Sequence, residues 1–122
     1  MTERTLLWTT TDPRGLSVSL AADAWEHIVT EHDYMAPYLD AVRQTVEDPD
    51  EIYFDPVSTY SRKTGAQIHA YYKSQILTGL FQDNLAYVSV KFAPESAGLR
   101  GYVQTALSTH APQKRMVLIW TK

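Results

Sequence analysis

The spacing of apolar residues changes period twice along the chain. Leu16, Val18 and Leu20 alternate with Ser17 and Ser19, which predicts a short strand over 16–20. Asp12-Pro13-Arg14-Gly15 precedes it as a turn signal, and LLWTT (6–10) is its candidate hairpin partner. From residue 21 the period becomes helical. Trp25, Ile28, Val29 and His32 fall at i, i+3, i+4 and i+7, predicting a helix over about 21–32. A second helix is predicted from about Pro37 to Glu47. Pro37 suits its first turn, Leu39, Val42 and Val46 form its stripe, and Asp48-Pro49-Asp50 stops it.

From Glu51 the period returns to two. Strands are predicted over 51–55, 66–73, 85–92, 101–107 and 115–120, with polar turns at 58–65 and 94–98. SQILTGLFQDN (74–84) fits neither period and is either a strand continuation with a turn or a long loop. Short connections force antiparallel neighbours. The expected fold class is α+β, one domain over 1–122. Two N-terminal helices pack on one face of a curved four- to five-stranded antiparallel sheet, with a short N-terminal hairpin as a candidate addition.

Composition removes several chemistries. There is no cysteine, so disulfides, thiolate catalysis and cysteine-based zinc sites are excluded. No apolar run approaches the roughly 20 residues of a membrane span. The N-terminal stretch lacks the basic-then-apolar pattern of a secretory signal, so a cytoplasmic protein is expected. The net charge of −3 hides an asymmetry. Residues 1–55 carry three arginines against twelve carboxylates, and residues 56–122 carry eight basic residues against Asp83 and Glu95. The second half could meet a phosphate backbone; equally, acidic helices could neutralise a basic sheet.

WEHIVTEH (25–32) concentrates two of the four histidines beside two carboxylates. Zinc helices place two histidines at i and i+4. His27 and His32 are one residue too far apart and diverge by about 140° around a helix, so no metal is expected here. His27 and Glu31, at i and i+4, can pair on the surface. His32 continues the apolar face toward the helix C-terminus.

Alternation assigns faces to the strands. Ala86, Val88, Val90 and Phe92 share one face, with Leu85, Tyr87, Ser89 and Lys91 opposite. Gln67, His69, Tyr71 and Lys73 share a face, opposite Ile68, Ala70 and Tyr72. Val103, Thr105 and Leu107 share a face, opposite Tyr102, Gln104 and Ala106. One sheet surface is then expected to be rich in Tyr, Lys, His and Gln. Rings interleaved with cations suit RNA, and an exposed sheet face carries them anyway. Ser58 and residues 60–64, which include Arg62 and Lys63, are expected to form a mobile basic loop for phosphate contacts. Gly-rich phosphate loops and Gly-x-Ser-x-Gly are absent.

Short motifs in fixed order carry a resemblance. W-x-H-I-x-x-x-H (25–32), T-V-E-D-P-D-E-I (45–52), Y-Y-K (71–73), A-Y-V-S-V-K (86–91), G-Y-V-Q-T-A (101–106) and a last strand with Ile119-Trp120 follow one another. The chain thereby resembles, from about Leu6 to Trp120, a phage- and bacteria-borne group of small nuclease-like domains in the barnase–EndoU–colicin–RelE-like superfamily. His32 is followed by Asp33 where members often carry proline, and the chain is acidic where toxins of the superfamily are basic.

The resemblance implies two helices before a four-stranded antiparallel sheet, and metal-independent, cofactor-free cleavage of RNA. It implies His27, His32, Lys91 and Thr105 as catalytic residues. The expected substrate contacts are Tyr72, Arg62, Lys63, Lys73 and Tyr87. RNA is the expected partner, with an antitoxin or immunity protein as a further one. The alternative is a nucleic-acid- or protein-binding module on the same fold without catalysis.

Overall fold

The structure, a computed structural model, describes residues 4–60, 65–80, 84–95 and 98–122, with Tyr60 described in its backbone only. The chain runs β1 (Leu6–Thr11), β2 (Ser17–Ala21), α1 (Ala22–Glu31), a 3₁₀ helix (Asp33–Tyr38), α2 (Leu39–Glu47) and β3 (Glu51–Phe54). It continues through α3 (Pro56–Tyr60), β4 (Gln67–Ser74), β5 (Leu85–Glu95), β6 (Gly98–Thr109) and β7 (Val117–Thr121). Among the described residues this is a sheet-dominated α+β fold.

The sheet has seven strands in the order β1-β2-β6-β5-β4-β3-β7, not four or five. Successive strands β3, β4, β5 and β6 are antiparallel neighbours. The expected hairpin forms, with β1 antiparallel to β2. It joins the sheet through a parallel pairing, Val18 opposite Gly101, so the sheet is mixed. The two helices between β2 and β3 supply the long connection that permits this. β7 crosses back to pair with β3 at the far edge.

Helix boundaries follow local chemistry. Pro37 does not open an α-helix; it lies in the 3₁₀ helix, and α2 begins at Leu39. Proline lacks an N–H and crowds the preceding turn, which favours the tighter geometry. Residues 58–60 belong to α3 rather than to a loop. Asp55 caps that helix, its Oδ1 accepting from the Ser58 N–H at 3.1 Å, and Pro56 occupies the first turn. Residues 61–64 lie outside the described residues. So do 81–83 of the ambiguous stretch, whose remainder turns through Gln75 and Gly79 in left-handed conformation and buries Leu77.

The core fills one face of the sheet. Ile28 from α1, Met35 from the 3₁₀ helix, and Val42 and Val46 from α2 meet Val18, Leu20, Val88, Val90, Phe92 and Val103. Ile28 is fully buried, which stabilises the fold by roughly 2 kcal/mol. Gly101 is required where β6 crosses this core: a Cβ there would lie 2.6 Å from Val90 and 2.7 Å from Phe92. Tyr72, Ala70 and Met116 form a second cluster on the outer face, with Tyr53 and Tyr87. Among the described residues no helix is long and apolar enough to cross a membrane.

Candidate functional site

Among the described residues, β2 pairs with β6 at Arg100, Gly101 and Tyr102. The chain then enters α1, which runs beside β6 and leaves a pocket of about 370 Å³. Arg4, Asp23, His27, Lys91, Tyr102 and Gln104 line it. Lys91 lies opposite Tyr102 in the β5–β6 ladder and has no ion-pair partner among the described residues. The His27 imidazole is 61% exposed, its Nε2 lying 3.3 Å from Glu31 Oε1, the pairing that helical spacing predicts. Arg4 binds Asp23 at 3.0 Å and lies 5.4 Å over the Tyr102 ring. Arg100 lies 5.3 Å over the same ring. The hydrogen bond from Arg4 holds the Asp23 carboxyl below its ordinary range. Two guanidiniums therefore lie over the Tyr102 ring, and an imidazole and an ammonium line the same pocket as that ring. That set can hold an anion, stack a planar group and move a proton.

A second pocket, about 170 Å³, is lined by Tyr72, Tyr87, Thr105, Leu107, Thr109 and Gln113. Tyr72 packs edge-on against Tyr53 at 5.3 Å and tilted against Tyr87 at 5.4 Å. Burial raises the pKa of both the Tyr72 and Tyr87 phenols. Thr105 reaches this side because β6 carries a bulge. Ser89 faces Thr105 while Val90 faces Val103, so Gln104 is the extra residue. Strict alternation groups Val103 with Thr105. The bulge instead puts Val103 and Ala106 in the core and turns Thr105 outward.

The residues expected to act together are therefore divided. His27 and Lys91 share the first pocket; Thr105, Tyr72 and Tyr87 share the second. Lys91 and Thr105 emerge on the same sheet face, two β5 positions apart, roughly 7 Å along the strand. His32 lines neither pocket. It caps α1, donating its N–H to the Ile28 carbonyl at 2.7 Å, with its ring edge-on to Tyr34. Lys73 is held by Asp48, whose carboxylate also pairs with Lys122. Arg62 and Lys63 lie outside the described residues. The bonds of Asp48 to Lys73 and Lys122, and of Asp55 to Arg115, partly realise the neutralisation of a basic sheet by the acidic half. No family model matches the chain, and neither a curated protein nor a solved structure does.

The expected Tyr/Lys/His/Gln surface needs a further correction. Register sets Tyr71 opposite Val88 and His69 opposite Val90, so the polar set of β4 shares the core face. There it forms a buried network. Asp12, its side chain fully buried, accepts five hydrogen bonds. Two come from the N–H groups of Arg14 and Leu16, two from the Arg14 guanidinium and one from the Tyr71 hydroxyl. Arg14 Nη1 reaches His69 Nδ1 at 3.1 Å, and His69 Nε2 reaches Gln67 Oε1 at 3.1 Å. Burial, then the Arg14 charge, depress the His69 pKa to about 4. Desolvation and the Asp12 carboxylate raise that of Tyr71. The sequence marks Asp12 and Arg14 only as turn residues; a charged pair inside a turn next to a strand rich in His and Tyr is the signal for this network. Among the described residues, no three His, Asp or Glu side chains cluster as metal ligands.

Proposed function

We propose that the chain is a small metal-independent endoribonuclease acting at the pocket between α1 and β6. The observation that carries this is the His27 imidazole and the Lys91 ammonium, which has no ion-pair partner among the described residues, lining one pocket with Tyr102. RNA supplies its own nucleophile, the 2′-hydroxyl. His27 takes its proton as the 2′-oxygen attacks phosphorus. The bond from phosphorus to the 5′-oxygen breaks, leaving a 2′,3′-cyclic phosphate, and the 5′-oxygen leaves as a hydroxyl with a proton from solvent. Lys91, with Arg4, stabilises the charge that builds on the phosphorane oxygens. The neighbouring Thr105–Tyr87 pocket holds an adjacent nucleotide, which makes Thr105 a substrate contact rather than a catalytic group.

The arrangement of β3 to β6 supports the resemblance to the barnase–EndoU–colicin–RelE-like superfamily. They form an antiparallel meander preceded by α1 and α2, and we treat them as a barnase-like core. The hairpin and β7 extend it at the two edges. A toxin or phage-conflict role, neutralised by an antitoxin or immunity protein, belongs to the same proposal.

The second reading is a nucleic-acid-binding module without catalysis. It is favoured by the separation of Thr105 from His27 and by a single histidine in the pocket. Incubating pure protein with total RNA in EDTA separates the two. Cleavage to cyclic-phosphate ends, lost in His27→Ala and retained in His32→Ala, supports the nuclease. RNA retention on the protein without cleavage supports the module, and cleavage that survives His27→Ala removes this pocket as the active site.

A further inference from the structure

A third cavity, about 470 Å³, opens at the start of β4, where Phe54, Thr59, Ala66, Gln67, His69 and Ile119 line it. It shares no residue with the His27–Lys91 pocket, and its size suits a small organic ligand. Phe54, Ala66 and Ile119 give it apolar walls.

Its polar edge is fixed from below. Arginine has only donors, so His69 Nδ1 must accept from Arg14. The proton of the neutral ring is then on Nε2, and it can only be donated to the oxygen of the Gln67 amide. Arg14 in turn is tied to Asp12 by bonds of 2.7 and 3.0 Å. The Phe54 and Phe92 rings flank the imidazole at 6.2 and 4.9 Å. The exposed Gln67 amide is therefore held with its oxygen toward His69, displaying an NH₂ donor and a remaining oxygen lone pair. Such a donor–acceptor edge matches the hydrogen-bonding edge of a base. Arg14 is neutralised by Asp12, and none of the described residues that line the cavity carries an unpaired charge.

We propose that this cavity is a second ligand-binding site that takes an uncharged planar heterocycle, a nucleobase, against Phe54 and Ile119 with its polar edge on the Gln67 amide. The site stands whether or not the chain cleaves RNA.

Binding of adenosine, guanosine, uridine and cytidine to the whole chain, followed by calorimetry, tests it, with ribose 5-phosphate and toluene as comparison ligands. At least one nucleoside should bind saturably. Gln67→Ala, which also takes the acceptor from His69 Nε2 and is therefore checked for folding by its urea midpoint, should weaken it roughly two- to tenfold, the worth of one hydrogen bond. Phe54→Ala should weaken it as well, and His27→Ala should leave it unchanged. Absence of binding by all four nucleosides overturns the proposal. So does binding unaffected by Gln67→Ala, equal binding of ribose 5-phosphate, or binding of toluene alone. Nucleoside binding by a protein that leaves RNA intact keeps this site and rejects the nuclease.

Discussion

Acidification should weaken the fold through His69 before the bonded carboxyls of Asp23, Asp40, Asp48 and Asp55 respond. The folded-state pKa of His69 is lowered from 6.5 to about 4 by burial and by Arg14. Above pH 6.5 the ring is neutral in both states, and its fit in the network contributes fully. Between those two values the unfolded chain takes up a proton that the folded chain refuses, so stability falls as pH falls. Each pH step of one across that window costs about 1.4 kcal/mol, so the loss is about 2 kcal/mol by pH 5 and about 3 kcal/mol by pH 4. Asp23, Asp40, Asp48 and Asp55 have lowered pKa values in the fold and lose their contribution only as pH drops below about 3.8. For Asp55, burial opposes the shift, and the bonds from Ser58 and Arg115 outweigh it. Urea unfolding followed by tryptophan fluorescence at pH 7.5 and 5.0 reads the effect. With a slope of about 2 kcal/mol per molar, the wild-type midpoint should drop by about 1 M. His69→Gln keeps an acceptor for Arg14 and does not titrate, so its midpoint should move far less over the same interval. Equal shifts in the two proteins would refute the assignment of His69 as a buried neutral acceptor.

Three other outcomes follow from the packing, the buried Asp12 network and the Thr105 pocket. Gly101→Ala should cost about 1–3 kcal/mol of stability in thermal or urea melts, because its Cβ has no room beside Val90 and Phe92. Tyr71→Phe should cost about 1–3 kcal/mol, since it removes a donor to the buried Asp12 carboxylate; a cost under about 0.5 kcal/mol would contradict that bond. Thr105→Ala should raise KM for an oligoribonucleotide and leave kcat within about threefold, whereas a catalytic Thr105 would lower kcat.

Much of the fold is legible in the sequence because long periodic segments report burial directly. Helix α1 is expected at 21–32 and spans Ala22–Glu31, and the alternation of 85–92 marks the central strand β5. Two features are not legible, for topological reasons. Parallel pairing of β2 with β6 joins residues about eighty apart, and no local pattern encodes it. The β6 bulge adds one residue, Gln104, and so reverses the facing of Thr105 without altering the apparent alternation. Register also decides the fate of β4. Alternation within β4 correctly pairs His69 with Tyr71, but only pairing with β5 shows that they join Val88 and Val90 in the core. The candidate site is legible as residue types. Helical angle separates His27 from His32, while the meeting of His27 with Lys91 depends on α1 running along the open edge of β6, which only the fold reveals.

The most direct test is the single-turnover cleavage rate of an end-labelled oligoribonucleotide in EDTA. Wild type, His27→Ala, Lys91→Ala and Thr105→Ala should be compared at saturating protein. The His27–Lys91 pocket predicts cleavage by wild type, a loss of about a hundredfold or more in His27→Ala and in Lys91→Ala, and a Thr105→Ala rate within about threefold of wild type. No cleavage by wild type, or full cleavage by both His27→Ala and Lys91→Ala, would contradict an active site between α1 and β6.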